Sequence, residues 1–321
     1  MPLLVTGAMG HVGFEVVRQA AARGRRVVAQ YRDTFREADA QAIEGNVVWV
    51  RLDLADGAAV RATIEKQRID GCIHAAAVPN ESLARPDPLG AVAANTGAVA
   101  TLLEAARARE WHRFIHVSTG SVFQNATGVT PILEDAQPSV ASVYSTTKYC
   151  GELFVAMYRS QFALSAATVR ISWVYGPPLV PKVRDDPRGP IPYFLKCALS
   201  GIAVRERSGA DFAASFTHVS DVAAGLLAAA EARELRHPVY HLGSGVNYST
   251  DAVARAVKAA VPKADIEVGP GTAPWTDHTR MRGPLAGRRL LQDAGFESRL
   301  GLESGIFAFA DWMRANRDRW Q

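Results

Sequence analysis

The chain has 321 residues, a formal net charge of +4 at pH 7, 48% hydrophobic residues and 21% charged residues. This composition predicts a globular protein with one large core or two unequal cores. Lysine and arginine are scattered among 32 acidic residues, which argues against nucleic-acid binding. Three widely spaced cysteines without a C-x-x-C motif argue against a disulfide framework and a metal site. Because no basic leader precedes the first strand and no apolar run approaches about 18 residues, we expect a cytoplasmic protein that binds no membrane.

Three glycines at three-residue spacing interrupt the first apolar stretch of the chain. The residues before Gly7 predict a strand, Gly7 to Gly13 a tight turn, and the residues after Gly13 a helix. In this G-x-x-G-x-x-G pattern, Gly7 permits the sharp turn, Gly10 the approach of a phosphate, and Gly13 close packing of the helix on the sheet. The free N–H groups of the helix start favour a pyrophosphate. A second apolar strand at Val27–Tyr31 completes the βαβ unit in which such a turn binds a dinucleotide.

Strand-like and helix-like segments then alternate over more than 100 residues. Further strands are predicted at 47–52, 71–76, 113–117 and 167–171, and further helices at 58–64, 95–106 and 144–162. This alternation predicts an α/β fold, a Rossmann-like doubly wound parallel sheet with helices on both faces.

The composition changes between residues 175 and 192, where prolines recur among basic residues. No central strand could hold these prolines, so we predict a loop that leads into a smaller part. The chain is expected to return to the sheet at 216–219 and 239–242 and to end in an amphipathic helix at 305–313. We therefore predict a dinucleotide-binding domain over 1–174 and 213–243, with a smaller mixed α/β substrate-binding part over 175–212 and 244–321. The residues that define the loop are Pro177, Pro178, Pro181, Lys182, Arg184, Pro187, Arg188, Pro190 and Pro192.

The end of the second strand bears on the choice of cofactor. In a dinucleotide site an acidic residue at this point hydrogen-bonds the adenosine ribose, whereas an arginine pairs with a 2′-phosphate. Tyr31 stands where the acid is expected and Arg32 follows, which favours NADP(H). Asp33 keeps NAD(H) possible, and Arg32 can equally be a solvated charge. Asp53, after the third strand, is a candidate for the adenine edge or an ordinary turn residue.

Tyr144 and Lys148 are four residues apart at the start of a predicted helix and therefore share one helical face. There the Lys148 ammonium would favour the phenolate and lower the pKa of Tyr144 from about 10. A hydroxyl at the end of the neighbouring strand, Thr119 or Ser118, could hold the substrate oxygen. Tyr-x-x-x-Lys pairs also occur on solvated helices, but this pair follows a Ser-Thr strand end. The combination predicts a proton-transfer site that faces a nicotinamide.

Together these motifs resemble the extended short-chain dehydrogenase/reductases, the NAD-dependent epimerase/dehydratase family. The resemblance rests on T-G-A-M-G-H-V-G at 6–13, H-A-A at 74–76, V-S-T at 117–119, Y-S-T-T-K at 144–148, V-Y-G-P at 174–177 and F-T-H-V at 216–219. It implies that Tyr144 is the catalytic acid/base, that Lys148 tunes it and holds the nicotinamide ribose, and that Thr119 hydrogen-bonds the reacting oxygen. It also implies a homodimer formed through the helices at 95–106 and 144–162. The cofactor-binding residues that it implies are Gly7, Gly10, His11, Val12, Arg32, Asp53, Leu54, Ala75, Ala76, Ala77, Tyr144 and Lys148.

Two departures from the family pattern narrow the expected reaction. Gly120 and Ser121 follow Thr119 where 4,6-dehydratases carry Asp-Glu, which argues against dehydration. Ala214 and Ser215 stand where sugar-nucleotide epimerases carry an Arg-Asp pair whose arginine clamps the nucleotide diphosphate. A substitute clamp could come from another arginine, although a solvated or structural role is the simpler interpretation of each. The candidates are Arg205, Arg207, Arg280 and Arg282.

The substrate side of the predicted cleft includes Ser121 and Trp173. Trp173 replaces the asparagine that the family usually carries before V-Y-G-P, which indicates a less polar substrate wall. The expected function is an NAD(P)-dependent oxidoreductase that transfers a hydride between the cofactor and a secondary alcohol or carbonyl of a sugar, sugar acid or other small polyol. The alternatives are an NAD-dependent sugar-nucleotide 4-epimerase and a catalytically silent protein that senses NAD(P).

Overall fold

A computed structural model describes residues 2–180, 184, 186 and 188–320 of the chain. The strands are, in order, β1 (Leu3–Thr6), β2 (Val27–Tyr31), β3 (Val47–Arg51), β4 (Gly71–His74), β5 (Arg113–Thr119), β6 (Ala166–Ile171), β7 (Trp173–Tyr175), β8 (Val204–Glu206), β9 (Ala213–Ala214), β10 (Phe216–His218), β11 (Val239–Leu242), β12 (Tyr248–Ser249) and β13 (Ile266–Val268). The α-helices are α1 (His11–Ala22), α2 (Glu37–Gln41), α3 (Gly57–Gln67), α4 (Glu81–Ala84), α5 (Pro88–Val92), α6 (Ala98–Ala108), α7 (Val143–Phe162), α8 (Pro190–Ser200), α9 (Val219–Glu231), α10 (Thr250–Ala260), α11 (Arg289–Ala294) and α12 (Leu302–Ala315).

A seven-stranded parallel sheet forms the centre of the fold, in the order β11-β6-β5-β4-β1-β2-β3. The winding reverses between β1 and β4, which pair in register from Leu3 opposite Gly71 to Thr6 opposite His74. In open α/β sheets the crevice at the carboxyl edge of such a switch point is where ligands bind. The Rossmann-like fold predicted from the sequence is therefore confirmed.

Both faces of this sheet are buried. Val5 of β1 packs with Val16 of α1 on one face, and Leu4 packs with Leu102 of α6 and Val155 of α7 on the other. Successive strand residues point to opposite faces, so a strand covered on both sides is apolar at every position rather than at alternate ones. This explains the continuous apolar run in β1.

One predicted return to the central sheet is wrong. β10 (Phe216–His218) pairs in parallel with β7 (Trp173–Tyr175) in a separate two-stranded sheet, whereas β11 does join the central sheet beside β6. The chain leaves the central sheet at Ser172, directly after β6, and the Trp173 amide donates to the Ser215 carbonyl at 3.0 Å. β10 therefore follows a strand that has already turned away from the sheet.

The C-terminal part of the chain has an apolar cluster of its own, built from α8, α10 and α12 around Phe194, Val257 and Phe309. α8 begins at Pro190, and proline is tolerated in a first helical turn because the N–H that it lacks has no partner there. The division into two parts at the predicted boundaries stays a prediction. Of the predicted proline-rich loop, Pro181, Lys182 and Pro187 lie outside the described residues.

One helical segment corrects the expectation that no apolar run approaches the length of a membrane span. Residues Pro88–Ala108, which comprise α5, a π-helical turn (Ala93–Gly97) and α6, are long and apolar enough to cross a bilayer, with a mean hydropathy of 1.3. Val99, Leu102 and Leu103 of this segment are fully buried against the sheet. The α6 part of the segment is therefore packed in the core, whereas Leu89 of α5 is exposed.

Candidate active site

The glycine turn between β1 and α1 has no room for a side chain at Gly7 or at Gly13. Gly7 has φ +63°, and a Cβ there would lie 2.8 Å from the Cα of Ala76 in the loop after β4. A Cβ on Gly13 would lie 2.2 Å from the Gly7 carbonyl oxygen. Among the described residues no side chain caps α1 and no acid stands in its first turn. Gly10, which directly precedes α1, is exposed, so the free N–H groups at the start of this helix can bind an anion.

His11, the first residue of α1, is held by a contact that the sequence did not indicate. Its Nε2 lies 2.8 Å from the carbonyl oxygen of Gly176, in the loop after β7, and must carry the proton of that hydrogen bond. Burial lowers the pKa of His11 to about 4. Neutral His11 therefore joins the glycine turn to the start of the predicted proline-rich loop. The next residue of α1, Val12, is partly buried against the core.

Two arginines flank the depression at the ends of β2 and β3. Arg32 is exposed and its Nε lies 2.6 Å from Oδ2 of the equally exposed Asp33. Arg51, which the sequence analysis did not single out, donates from Nε to the Arg32 carbonyl at 3.1 Å. Leu52 and Asp53 complete the depression. The only sequence signal for Arg51 was its place at the end of the neighbouring strand.

Asp53 adopts the turn geometry that was one of its two interpretations. Its Oδ1 accepts a hydrogen bond from the Ala55 amide at 2.9 Å, while Leu54 is buried. On the other side of β1, Ala75, Ala76 and Ala77 are half-buried in the loop after β4. The Ala76 amide donates to the Thr6 hydroxyl at 3.1 Å, so this loop is fixed against the glycine turn.

Thr119 ends β5, and Tyr144 and Lys148 lie in the first two turns of α7. Ser142 and Ser145 form a reciprocal capping box that begins α7 immediately before Tyr144. The Thr119 side chain lies beside the Tyr144 phenol, close enough to oppose the rise of the Tyr144 pKa that burial causes. The structure thus brings together the three residues predicted to be catalytic.

Ser118, the alternative hydroxyl, has another role. It is buried and donates from Oγ to Oε1 of Glu152 at 2.5 Å. Thr119 instead lies at the strand end, where its Oγ1 also accepts the Ser121 amide at 3.0 Å. Between the two hydroxyls, the geometry favours Thr119 as the one beside the Tyr144 phenol.

The predicted lowering of the Tyr144 pKa by Lys148 is wrong for this structure. Burial raises the pKa of Tyr144 because it removes water from the phenolate, and the neighbouring Thr119 side chain opposes this rise. Burial lowers the pKa values of two neighbouring imidazoles, His74 and His116, and the positive charge of Lys148 lowers them further. Helical spacing alone did not reveal which of these neighbours the ammonium faces.

Lys148 itself is buried, and desolvation lowers its pKa to about 8, while Glu152 one turn later acts in the opposite direction. Glu152 forms a buried ion pair with Arg170 of β6, with Nη2 and Oε2 2.6 Å apart. The sequence analysis missed this pair. The four-residue spacing of Lys148 and Glu152 was an available signal, but the contact with Arg170 joins distant segments.

Glu81 is a second acidic residue near the predicted catalytic tyrosine that the sequence analysis missed. Its Oε2 accepts the backbone amide of Tyr144 at 2.9 Å, near the start of α7. Buried Asn95, in the π-helical turn, donates to the Thr147 hydroxyl at 3.0 Å and also accepts the Val78 amide at 2.7 Å. Both contacts fix α7 against the segments that follow β4.

On the predicted substrate side, Trp173 stacks on Phe216 with ring centroids 5.4 Å apart. Of the four arginines considered as a substitute clamp, Arg205 pairs with Asp265 at the surface, and Arg207 and Arg280 are exposed. Arg282 differs from these because it is half-buried beside Gly120, the residue that follows Thr119.

A family model described as the NAD dependent epimerase/dehydratase family matches residues 3–243. The chain belongs to this family. The resemblance stated from its motifs is thereby confirmed, as is the expectation of an enzyme of the extended short-chain dehydrogenase type.

Curated relatives and solved structures extend the similarity over the whole chain. A UDP-glucose 4-epimerase of Mycolicibacterium smegmatis is 25% identical over 98% of this chain and 99% of its own length. A dTDP-glucose 4,6-dehydratase of Streptomyces antibioticus is 27% identical over 100% of this chain and 95% of its own length. The UDP-glucose 4-epimerase of Thermus thermophilus, solved with NAD, superposes with a TM-score of 0.81 at 25% identity, covering 98% of this chain and 99% of its own.

The buried histidines predict that stability falls on mild acidification. Burial lowers the pKa values of His11, His74 and His241 to about 4, 3 and 4. Between these values and about 6.5 the unfolded chain binds more protons than the folded one, so stability is present above pH 6.5 and is lost as the pH falls. We expect the free energy of unfolding in urea to drop between pH 7 and 5.5 by about 1 kcal/mol for each of the three. Most carboxylates stay ionised in this range, and an unchanged value would contradict the burial of neutral imidazoles.

Proposed function

We propose that the chain transfers a hydride between a nicotinamide cofactor and a secondary alcohol or carbonyl of a sugar-like substrate, with Tyr144 as acid/base. The observation that carries the proposal is the position of the Tyr144 phenol beside the Thr119 side chain, one helical turn from the buried ammonium of Lys148. These groups stand beyond the carboxyl edge of β5, two strands from the glycine turn after β1. Family membership supports the same reaction class.

The residues of the cleft fit a dinucleotide. The α1 N-terminus suits a pyrophosphate, Gly7 brings the loop after β4 close to it, and Gly13 lets α1 pack against the turn at Gly7. When bound, the nicotinamide supplies or accepts the hydride. In the reductive direction Thr119 holds the substrate oxygen and Tyr144 donates its proton to that oxygen, while the buried ammonium of Lys148 would hold the nicotinamide ribose. The raised pKa of Tyr144 keeps the phenol protonated, as a proton donor requires.

A sugar-nucleotide 4-epimerase is the second candidate, favoured by the full-length similarity to the Mycolicibacterium smegmatis enzyme. It would use Tyr144 twice, first to oxidise the substrate and then to reduce the other face, without net turnover of the cofactor. Incubation with substoichiometric cofactor distinguishes the two reactions. A net change in nicotinamide absorbance marks a dehydrogenase, and isomerisation without that change marks an epimerase. If neither occurs across a substrate panel, a silent NAD(P)-sensing protein remains.

For the cofactor we propose NADP(H) rather than NAD(H). Arg32 and Arg51 both border the depression at the ends of β2 and β3, and Tyr31 leaves that strand end without a carboxylate. Two guanidinium groups can hold a 2′-phosphate, whereas NAD recognition calls for an acid on the ribose. Asp33, which engages Arg32, supports the alternative. The structural neighbour from Thermus thermophilus was solved with NAD.

We propose that the segments 175–212 and 244–321 bind the substrate, with Trp173 and Ser121 at its border. Support comes from the separate apolar cluster of these segments and from the stacking of Trp173 on Phe216 beside it. Trp173→Ala should raise the KM for substrate and leave cofactor affinity unchanged. Loss of cofactor affinity in this variant would contradict the placement of Trp173 on the substrate side of the cleft.

We also propose a cytoplasmic location, which the composition supports. Recovery of the protein in membrane fractions would contradict it.

We propose a homodimer through the predicted helices at 95–106 and 144–162, with the interface extended to α5, which directly precedes the first of them in the chain. Leu89 on α5 is 82% exposed and Leu153 on α7 is 52% exposed, and Met157 lies on the same face of α7 as Leu153. Light scattering should give twice the 34.5 kDa chain mass. Leu153→Glu combined with Met157→Glu should halve it, whereas Ile202→Glu, at another exposed apolar residue, should not. A monomeric wild-type protein would contradict the proposal.

The Arg32→Ala variant tests the cofactor assignment. Loss of one charged hydrogen bond to a phosphate should weaken NADPH binding about tenfold or more, with little effect on NADH. Calorimetric titration of both cofactors measures the two affinities. Arg109→Ala, at an exposed arginine after α6, is the control and should change neither. Equal losses for NADPH and NADH, or no loss, would reject the 2′-phosphate assignment.

The Tyr144→Phe variant tests the acid/base assignment. It keeps the aromatic ring but removes the proton donor, so turnover should fall about 10²- to 10⁴-fold while the cofactor dissociation constant stays within about twofold. Steady-state rates on the substrate that a panel identifies, together with cofactor titration, measure both. Tyr158→Phe, at a half-buried tyrosine on the same helix whose hydroxyl donates to Glu104, should retain full activity. Full activity in Tyr144→Phe would refute the assignment.

A further inference from the structure

Arg282 occupies the space that opens where Gly120 lacks a side chain. A Cβ on Gly120 would lie 3.2 Å from Nη2 of Arg282 and 3.4 Å from Cδ1 of Leu285. Gly120 directly follows Thr119, whose hydroxyl contacts the Tyr144 phenol. A longer side chain at residue 120 would displace the guanidinium. Glycine there therefore permits an arginine beside the proposed reaction centre.

The segment that carries Arg282 is fixed on both sides. The Ile132 amide donates to the Pro284 carbonyl and the Ala286 amide donates to the Ile132 carbonyl, each at 2.9 Å. The Asn247 side chain donates from Nδ2 to the Arg282 carbonyl at 2.7 Å. These contacts hold the backbone at residue 282 in place, so the position beside Gly120 follows from the fold rather than from a free surface rotamer.

The guanidinium of Arg282 has no acidic or hydrogen-bonding partner anywhere in the described part of the chain. Desolvation lowers the pKa of Arg282 to about 10, so the group is charged at neutral pH. By contrast, the guanidinium of Arg170 is paired with Glu152, and that of Arg113 donates to the Ala232 carbonyl at 2.8 Å, although the Arg113 Nε has no partner. A desolvated charge without a partner costs stability. Such a cost is typical of a residue whose partner is a ligand.

We propose that Arg282 binds a carboxylate of the substrate, close to the carbon that is oxidised or reduced. The substrate is then a sugar acid or a related hydroxy acid. This rests on the proposed function, because Thr119 and Tyr144 define where the reacting carbon lies. It selects one substrate class from the sugars, sugar acids and polyols that the sequence left open.

The charge and shape of the site favour a carboxylate over a phosphate. One planar guanidinium neutralises one carboxylate with two parallel hydrogen bonds. A phosphate or diphosphate carries more charge than a single arginine balances. At the start of β10, where family epimerases were expected to carry a clamping arginine, this chain has Ala214 and Ser215. Arg205, Arg207 and Arg280 all lie at the surface and do not replace it.

The test compares charged and neutral probes of the same skeleton on the full chain, with and without saturating NADPH. Calorimetric titrations use D-glucuronate and D-galacturonate, the parent D-glucose and D-galactose, their 6-phosphates, and UDP. We expect the wild-type protein to bind at least one uronate tenfold or more tightly than its parent sugar. Arg282→Gln should abolish that preference, Arg282→Lys should retain part of it, and Arg280→Gln, at the exposed arginine two residues away, should retain all of it.

Thermal unfolding of the same variants separates a binding role from a structural one. Because the guanidinium lacks a partner among the described residues, Arg282→Gln should leave the Tm unchanged or raise it, although it abolishes the uronate preference. A lowered Tm together with equal losses for uronate and parent sugar would mark a structural arginine and would overturn the proposal.

Three further results would also overturn it. These are equal affinity of the wild-type protein for uronates and parent sugars, a uronate preference that survives in Arg282→Gln, and an Arg282-dependent preference for the 6-phosphates or UDP over the uronates. Failure of the proposed reaction is distinguishable from these. If Arg282-dependent uronate binding occurs but no nicotinamide is oxidised or reduced, the carboxylate site stands and hydride transfer fails. If Tyr144-dependent turnover is indifferent to Arg282→Gln, hydride transfer stands and the carboxylate site fails.

Discussion

The buried ammonium of Lys148 constrains the architecture of the site. Lys148 is 2% exposed, and desolvation lowers the pKa of its ammonium to about 8, while the carboxylate of Glu152 one turn later opposes this fall. Glu152 in turn binds Arg170 of β6 and Ser118 of β5, so one buried network ties α7 to two central strands. With α7 fixed in this way, Tyr144 lies against Thr119 at the end of β5. The proposed chemistry at the surface of the cleft therefore depends on a polar network beneath it.

Two arginines of this fold show how the same charge serves different purposes. Arg170 is paired with Glu152, and removing either partner would leave an uncompensated buried charge. Arg282 is desolvated beside Gly120 with no partner among the described residues, and its removal should cost no stability. The first group holds the structure together, and the second is better explained by a ligand. Two departures from the family pattern then have one explanation. Gly120 makes room for Arg282, the absence of an arginine at 214–215 removes the expected diphosphate clamp, and both changes suit a substrate that carries a carboxylate.

Periodic and local patterns were readable from the sequence, whereas long-range contacts were not. The strands of the central sheet to within two residues, the glycine turn, and the start of α7 to within one residue followed from apolar periodicity and from steric demands at Gly7 and Gly13. The pairing of β10 with β7 could not be predicted, because the sequence of β10, F-T-H, suits the central sheet and the separate two-stranded sheet equally well. The direction of the Tyr144 pKa was also missed, since i, i+4 spacing states proximity but not desolvation. Arg51 and Arg282 gain meaning only from neighbours that are distant in the sequence.

The most direct test of the central claim is a crystal structure of the chain with its bound nicotinamide cofactor. The account predicts C4 of the nicotinamide within about 6 Å of the Tyr144 Oη, the span of one reacting carbonyl group between them. It also predicts the pyrophosphate at the start of α1. A nicotinamide ring at about twice that distance from Tyr144, or a cleft that binds no dinucleotide, would contradict it.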